Sequence, residues 1–149
     1  MDDANFDGDF AIQSVRKLRA WAELPLSEPA TRNGALTTVD RWFMGATDRI
    51  ITETRQNMEE TNFRSAIKTG FHDLQREWSW YVRRAGGTPH AQVWERFSRV
   101  QNAILTPMVP ALTCELHEAR GWEGNALDIT YPTPLAEADP SLDESERLV

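Results

Sequence analysis

Apolar residues recur at three- and four-residue steps over most of positions 10–116, which is the spacing of one helix face and not the alternation of a strand. Phe10, Ala11, Val15, Leu18 and Ala22 mark a first helix from Asp7 to Glu23, with Asp7 and Asp9 available as N-caps. Pro25, Pro29 and the Asn33-Gly34 pair make residues 24–34 a loop. Val39, Trp42, Phe43, Ala46, Ile50 and Ile51 then carry a second helix from about Leu36 to about Met58, with Asp40, Arg41, Asp48, Arg49 and Glu53 on its polar side.

The strongest period follows. Thr61 or Asn62 is placed to cap a third helix whose stripe runs Phe63, Ala66, Ile67, Gly70, Phe71, Leu74, Trp78, Tyr81 and Val82 until Gly86-Gly87 stops it. Thr88-Pro89 opens a fourth helix, with Pro89 in a first-turn position and Val93, Trp94, Phe97, Val100, Gln101, Ile104 and Leu105 on its stripe. Pro107 and Pro110 mark a break and restart, because one proline inside a helix costs about 3 kcal/mol. A short fifth helix, Ala111 to Ala119, ends at Gly121. Beyond Trp122 only Leu127 to Tyr131 alternates, like an extended segment. The pattern predicts an all-α up-down helical bundle of four long helices plus one short C-terminal helix over residues 1–132, and an acidic, disordered tail over 133–149.

Composition narrows the class. A chain of 149 residues with 40% hydrophobic residues has material for one core, burying roughly two thirds of its unfolded surface. The single cysteine, Cys114, cannot form an internal disulfide, and the start MDDANFDGDF lacks the basic and apolar stretches of a secretory signal. No apolar run has the length of a membrane span, so a cytoplasmic location away from membranes is expected.

Charge changes the picture more. The net of −7 sits at the two ends: residues 1–9 carry four acids and no base, and residues 121–149 carry seven acids against Arg147. Residues 10–120 hold twelve acids and fifteen bases, a net of +3, which permits a phosphate-backbone partner.

Two stretches resemble a known family. Ile104-Leu105-Thr106-Pro107-Met108-Val109-Pro110-Ala111-Leu112-Thr113-Cys114-Glu115-Leu116, followed by Gly121, Trp122 and Tyr131-Pro132, is similar to the end of the anticodon-binding bundle of class I aminoacyl-tRNA synthetases. Asn62 to Ile67, Phe71, Asp73-Leu74-Gln75 and Trp78-Ser79-Trp80-Tyr81 resemble the archaeal and eukaryotic type of leucyl-tRNA synthetase. Two positions depart from the family pattern: Ala111 stands where a histidine is usual and His117 where a tryptophan is usual. The resemblance implies an anticodon-binding-domain fold and a tRNA-binding role in leucylation, in which the anticodon itself need not be read. The partners it implies are tRNA, leucine tRNA above all, and a synthetase catalytic domain in cis or in trans. The family's His-x-Gly-His and Lys-x-Ser-Lys-Ser-type elements do not occur here, where the only lysines are Lys17 and Lys68. The chain is therefore expected to be inactive alone and to need no cofactor; ATP and Mg belong to the catalytic domain.

Arg64, Lys68, Arg76, Arg83 and Arg84 are the candidate phosphate contacts, since cations that release condensed counterions supply much of nucleic-acid affinity. The competing reading is a solvated face paired with Glu60, Asp73 and Glu77. Arg16, Lys17 and Arg19 rank below them. Trp78, Trp80, Tyr81 and Trp94 are candidates for stacking on unpaired bases. Period assigns Trp78 and Trp94 to the core and leaves Trp80, off the main stripe, as the better exposed aromatic or a packed rim residue. His72, His90, Cys114 and His117 lack the paired spacing of a zinc site, and no Glu-x-x-His pair exists for a di-iron bundle. Nothing sets Cys114 apart from a small buried hydrophobe, and no catalytic constellation is visible. The alternative function is a non-catalytic helical bundle, derived from a synthetase, that binds other proteins.

Overall fold

In a computed structural model, residues 8–23, 29–125, 127 and 132 are described, and they form five helices. Helix α1 is Gly8–Glu23. Helix α2, Thr38–Glu59, begins where Thr37 and Asp40 cap each other's backbone amides, a reciprocal capping box that sets its start two residues after Leu36. Helix α3 spans residues 63–84 in three stretches: α-helical Phe63–Ile67, π-helical Lys68–Asp73 and α-helical Leu74–Arg84. Helix α4 is Ala91–Leu105, and α5 is Pro110–Ala119.

The ends follow local chemistry. Of the two candidate caps for α3, Asn62 acts, accepting from the Ser65 amide at 3.3 Å, while Thr61 turns the chain with a positive φ of 56°. Gly86 and Gly87, both with positive φ, stop α3 as the sequence predicts. Pro89 is not in the first turn of α4. His90 caps that helix through Nδ1, which accepts from the Gln92 amide at 3.0 Å, and Pro89 stands outside, its carbonyl accepting from the Arg32 amide. Pro110 occupies the first turn of α5 after the break that Pro107 and Pro110 predict.

Side-chain pairings show the up-down order. The start of α2 meets the end of α3 at Asp40 and Tyr81, and the end of α2 meets the start of α3 where Asn57 bonds Thr69. Helix α4 runs back along α3, with Phe97 stacked on Trp78 at 4.3 Å and Gln101 bonded to both Gln75 and the Gly70 carbonyl. That last bond falls within the π-helical stretch, which period alone did not show. A side chain from α4 donates to a carbonyl within that stretch, and Gly70 has no Cβ to hold Thr54 and Ile104 away.

The core is aromatic: Phe43, Trp78, Tyr81, Trp94 and Phe97 pack ring against ring, and Trp21 of α1 joins them edge-on to Phe97 at 5.5 Å. Several expectations fail at particular residues. Val15 and Phe63 fit the apolar period yet are 49% and 54% exposed, while Trp21, off the expected α1 stripe, is 1% exposed. Phe63 is the first residue of α3, ahead of the turn in which Ala66 makes the packing contact. Asp40 and Asp48, assigned to the polar side of α2, are buried because cations from elsewhere reach them: Arg32 pairs with Asp40 and Arg96 with Asp48. The expected extended segment at Leu127 to Tyr131 and the acidic tail fall almost wholly outside the described residues. No described helix is long and apolar enough to cross a membrane.

Candidate nucleic-acid interface

Helix α3 carries Arg64, Lys68, Arg76, Arg83 and Arg84 against Asp73 and Glu77. The structure sorts these cations by what they touch. Lys68 pairs with Asp73 at 3.5 Å, and Arg76 reaches Asp73 at 3.3 Å and Glu77 at 3.9 Å. The cations of these pairs are exposed, while Asp73 is half-buried and Glu77 buried; with one end in water each pair is worth about 1 kcal/mol and does not fix Lys68 or Arg76 against a stronger partner. Arg64 is exposed in the first turn of α3, and Arg83 is exposed near its end.

Trp80 and Arg84 form a separate unit. The Trp80 ring lies 4.6 Å from that of Trp42, and the Arg84 guanidinium stands 5.2 Å from the Trp80 centroid. Trp80 is thus a packed rim residue, half-buried and already in contact with a ring and a cation. Tyr81 cannot stack on a base. It is fully buried, its hydroxyl donates to Asp40 at 2.6 Å, and the same oxygen accepts from the His90 amide at 3.0 Å. Trp78 and Trp94 are core residues, as their period predicts.

Arg76 and Arg83 meet a cation that ranked below them in the sequence. Seven residues apart on α3, they share a face, and with Lys17 of α1 they line an open groove of about 550 Å³. Gln75 and Ser79 add polar groups to its wall, and Trp21 and Trp78 lie beneath. Lys17 is held there because Trp21, one turn later in α1, is anchored on Phe97. The charge of Lys17 reaches α3: the His72 imidazole is held below its usual range by burial first, then by Lys17, with Lys68 adding to this and Asp73 opposing it. What sequence reasoning missed was Trp21, although its three-residue step from Leu18 was the available signal.

The remaining candidates are structural. His90 is buried, with Nε2 2.8 Å from the Gly34 carbonyl, and His117 is buried, with Nε2 3.0 Å from the Glu123 carbonyl. Cys114 is half-buried, and among the described residues no cluster of three or more His, Cys, Asp or Glu groups could hold a metal.

Comparison with known proteins gives the family. The family described as the anticodon-binding domain of tRNA ligase matches residues 40–149. The chain is similar to the leucine–tRNA ligase of Aeropyrum pernix, 33% identical over 153 aligned residues that cover 100% of this chain and 16% of that protein. It is similar also to the cytoplasmic leucine–tRNA ligases of Pongo abelii, 28% identical over 89% of the chain, and Saccharomyces cerevisiae, 32% identical over 74%. The chain spans 12% and 10% of those two proteins.

Proposed function

From the premise that this chain belongs to the anticodon-binding domain family of tRNA ligases, we propose that it is the tRNA-docking module of a leucyl-tRNA synthetase. The observation that carries the reading is the whole-chain similarity to a leucine–tRNA ligase, of which it matches only 16%. In this reading the module works in the cytoplasm and holds leucine tRNA while a catalytic domain elsewhere in the synthetase, in cis or in trans, aminoacylates the acceptor end with ATP and Mg.

The cations of α3 do the holding. Arg64, Lys68, Arg76, Arg83 and Arg84 contact backbone phosphates, and Trp80 shapes the rim on which Arg84 rests. Phosphate contacts fix position without reading sequence, so selection for leucine tRNA comes from the shape of the folded RNA. Ile12 and Val15, one turn apart on α1 and about half exposed, offer the catalytic domain an apolar contact.

The test is a titration of the chain with leucine tRNA and one unrelated tRNA at two salt concentrations. Binding that weakens with salt and favours leucine tRNA is the expected result. Absence of binding at low salt refutes the docking role and leaves a bundle that binds other proteins, which size-exclusion with a separately made catalytic fragment then reveals.

A further inference from the structure

We infer that the groove between α1 and α3 is a seat for the phosphodiester backbone of the RNA, held jointly by Lys17 of α1 and by Arg76 and Arg83 of α3. The inference rests on the tRNA-docking reading and adds a location, a chemistry and a second helix to it. Lys17 lies outside residues 40–149, the stretch that the family match covers.

Three observations converge on phosphate. First, among the described residues the groove wall carries three cations and no acid. Asp73 and Glu77, which pair with Arg76, are not among the groove's lining residues, and the Arg76 guanidinium, itself exposed, can also reach a doubly contacted phosphate. Second, neither Lys17 nor Arg83 has an acidic partner within reach among the described residues, so binding costs them no existing ion pair. Third, the aromatic rings beneath the groove are closed off: Trp21 and Trp78 are buried against Phe97 and present no open face. A base has nothing to stack on there, whereas a phosphate finds two guanidinium forks, an ammonium and the Ser79 hydroxyl.

The mechanical consequence concerns α1. Its anchoring runs through Trp21, and a phosphate bridging Lys17 to Arg76 and Arg83 ties the two helices together a second time. Docked RNA therefore steadies α1 on the bundle.

Fluorescence anisotropy on the full chain with leucine tRNA and an unrelated tRNA, between about 50 and 200 mM salt, provides the test. Lys17→Gln and Arg83→Gln are each expected to reduce the slope of log affinity against log salt by about one, and the double variant by about two. The loss is the same for both RNAs, because no base edge is read. Lys17→Arg keeps the charge and the slope. Arg19→Gln, on the same helix but outside the groove, makes an equal change in net charge and leaves the slope unaltered. Both groove residues are exposed, so the variants melt with the unaltered chain. Should Lys17→Gln and Arg83→Gln behave like Arg19→Gln while the unaltered chain binds tRNA, the seat is refuted and docking stands. A loss confined to leucine tRNA refutes a backbone role. An unaltered chain that binds neither RNA overturns both.

Discussion

Replacing Asp40 by asparagine removes one charge from the most densely bonded point of the bundle. The carboxylate is fully buried. Its Oδ1 accepts from Arg32 at 2.5 Å and from the Tyr81 hydroxyl at 2.6 Å, and its Oδ2 accepts from Arg32 at 2.7 Å and from the Thr37 amide at 2.7 Å. Every neighbour donates, so the amide nitrogen of an asparagine would face a donor whichever way the side chain turned. Breaking a buried ion pair from one side costs about 3–5 kcal/mol. Arg32 retains 29% of its side-chain surface in water and can turn outward, which places the cost near about 3 kcal/mol. For a chain of this size that is a fall in Tm of roughly 6–12 °C, read by circular dichroism at pH 7.

The same variant has a pH signature. Burial opposes the charged form of Asp40, yet the hydrogen bonds from Tyr81, Thr37 and Arg32 outweigh it and hold the carboxyl below the ordinary carboxylate range. A group whose folded pKa is lowered contributes stability that is full above its unfolded value, about 3.9, and is lost as pH falls through the folded value. The gap in Tm between the unaltered chain and Asp40→Asn is therefore widest at neutral pH and closes in strong acid. Melting temperatures that agree within about 1 °C at pH 7 would refute the reasoning, since they would mean the four bonds add nothing net.

Other perturbations test separate contacts. Gly70→Ala puts a Cβ 2.7 Å from the Cγ2 methyls of both Thr54 and Ile104, and is expected to destabilise by about 1–3 kcal/mol in urea unfolding, with partial recovery in a Thr54→Ser background. No loss of stability would mean that α3 can move away from α2 and α4. Arg120→Met removes a guanidinium lying 5.2 to 5.5 Å from the rings of Trp21, Trp94 and Trp122, at an expected cost of about 1–2 kcal/mol. Trp122 should become easier to quench with acrylamide, and unchanged quenching would show that Arg120 does not hold it.

Which parts of this fold were legible follows from how far each feature reaches along the chain. Helices α2 to α5 were readable because an apolar stripe, a glycine pair or a proline acts within its own turn. Asp40 was not: period assigns it to the polar side of α2, and only Arg32 and Tyr81, the latter 41 residues away, turn a surface carboxylate into a buried one. The π-helical stretch likewise carries a bond from Gln101, 31 residues from the Gly70 carbonyl it reaches, which no local period signals. For the candidate interface, sequence named the cations of α3 but could not sort them. Sorting them requires knowing which acids and rings lie across a groove, and Lys17 gains its place because Trp21 and Leu18 hold α1 against the core.

That sorting also shows how an acidic chain can carry a basic working surface. Positive charge is spent wherever a cation meets an acid: Arg32 on buried Asp40, Arg96 on buried Asp48, and Arg99 on Glu95 at the surface. Such pairs are nearly neutral at a distance, so they add little to the field that an approaching RNA meets. The outward field of the described residues rests on cations without an acid beside them, and at the groove these come from two helices. A count of +3 over residues 10–120 therefore understates the local potential there, because among the described residues Lys17 and Arg83 have no acid beside them and only Arg76 is paired, with Asp73 and Glu77. The strength of RNA binding should accordingly follow the charge of Lys17 and Arg83 and be insensitive to acids distant from the groove by more than a Debye length, about 10 Å at 0.1 M salt.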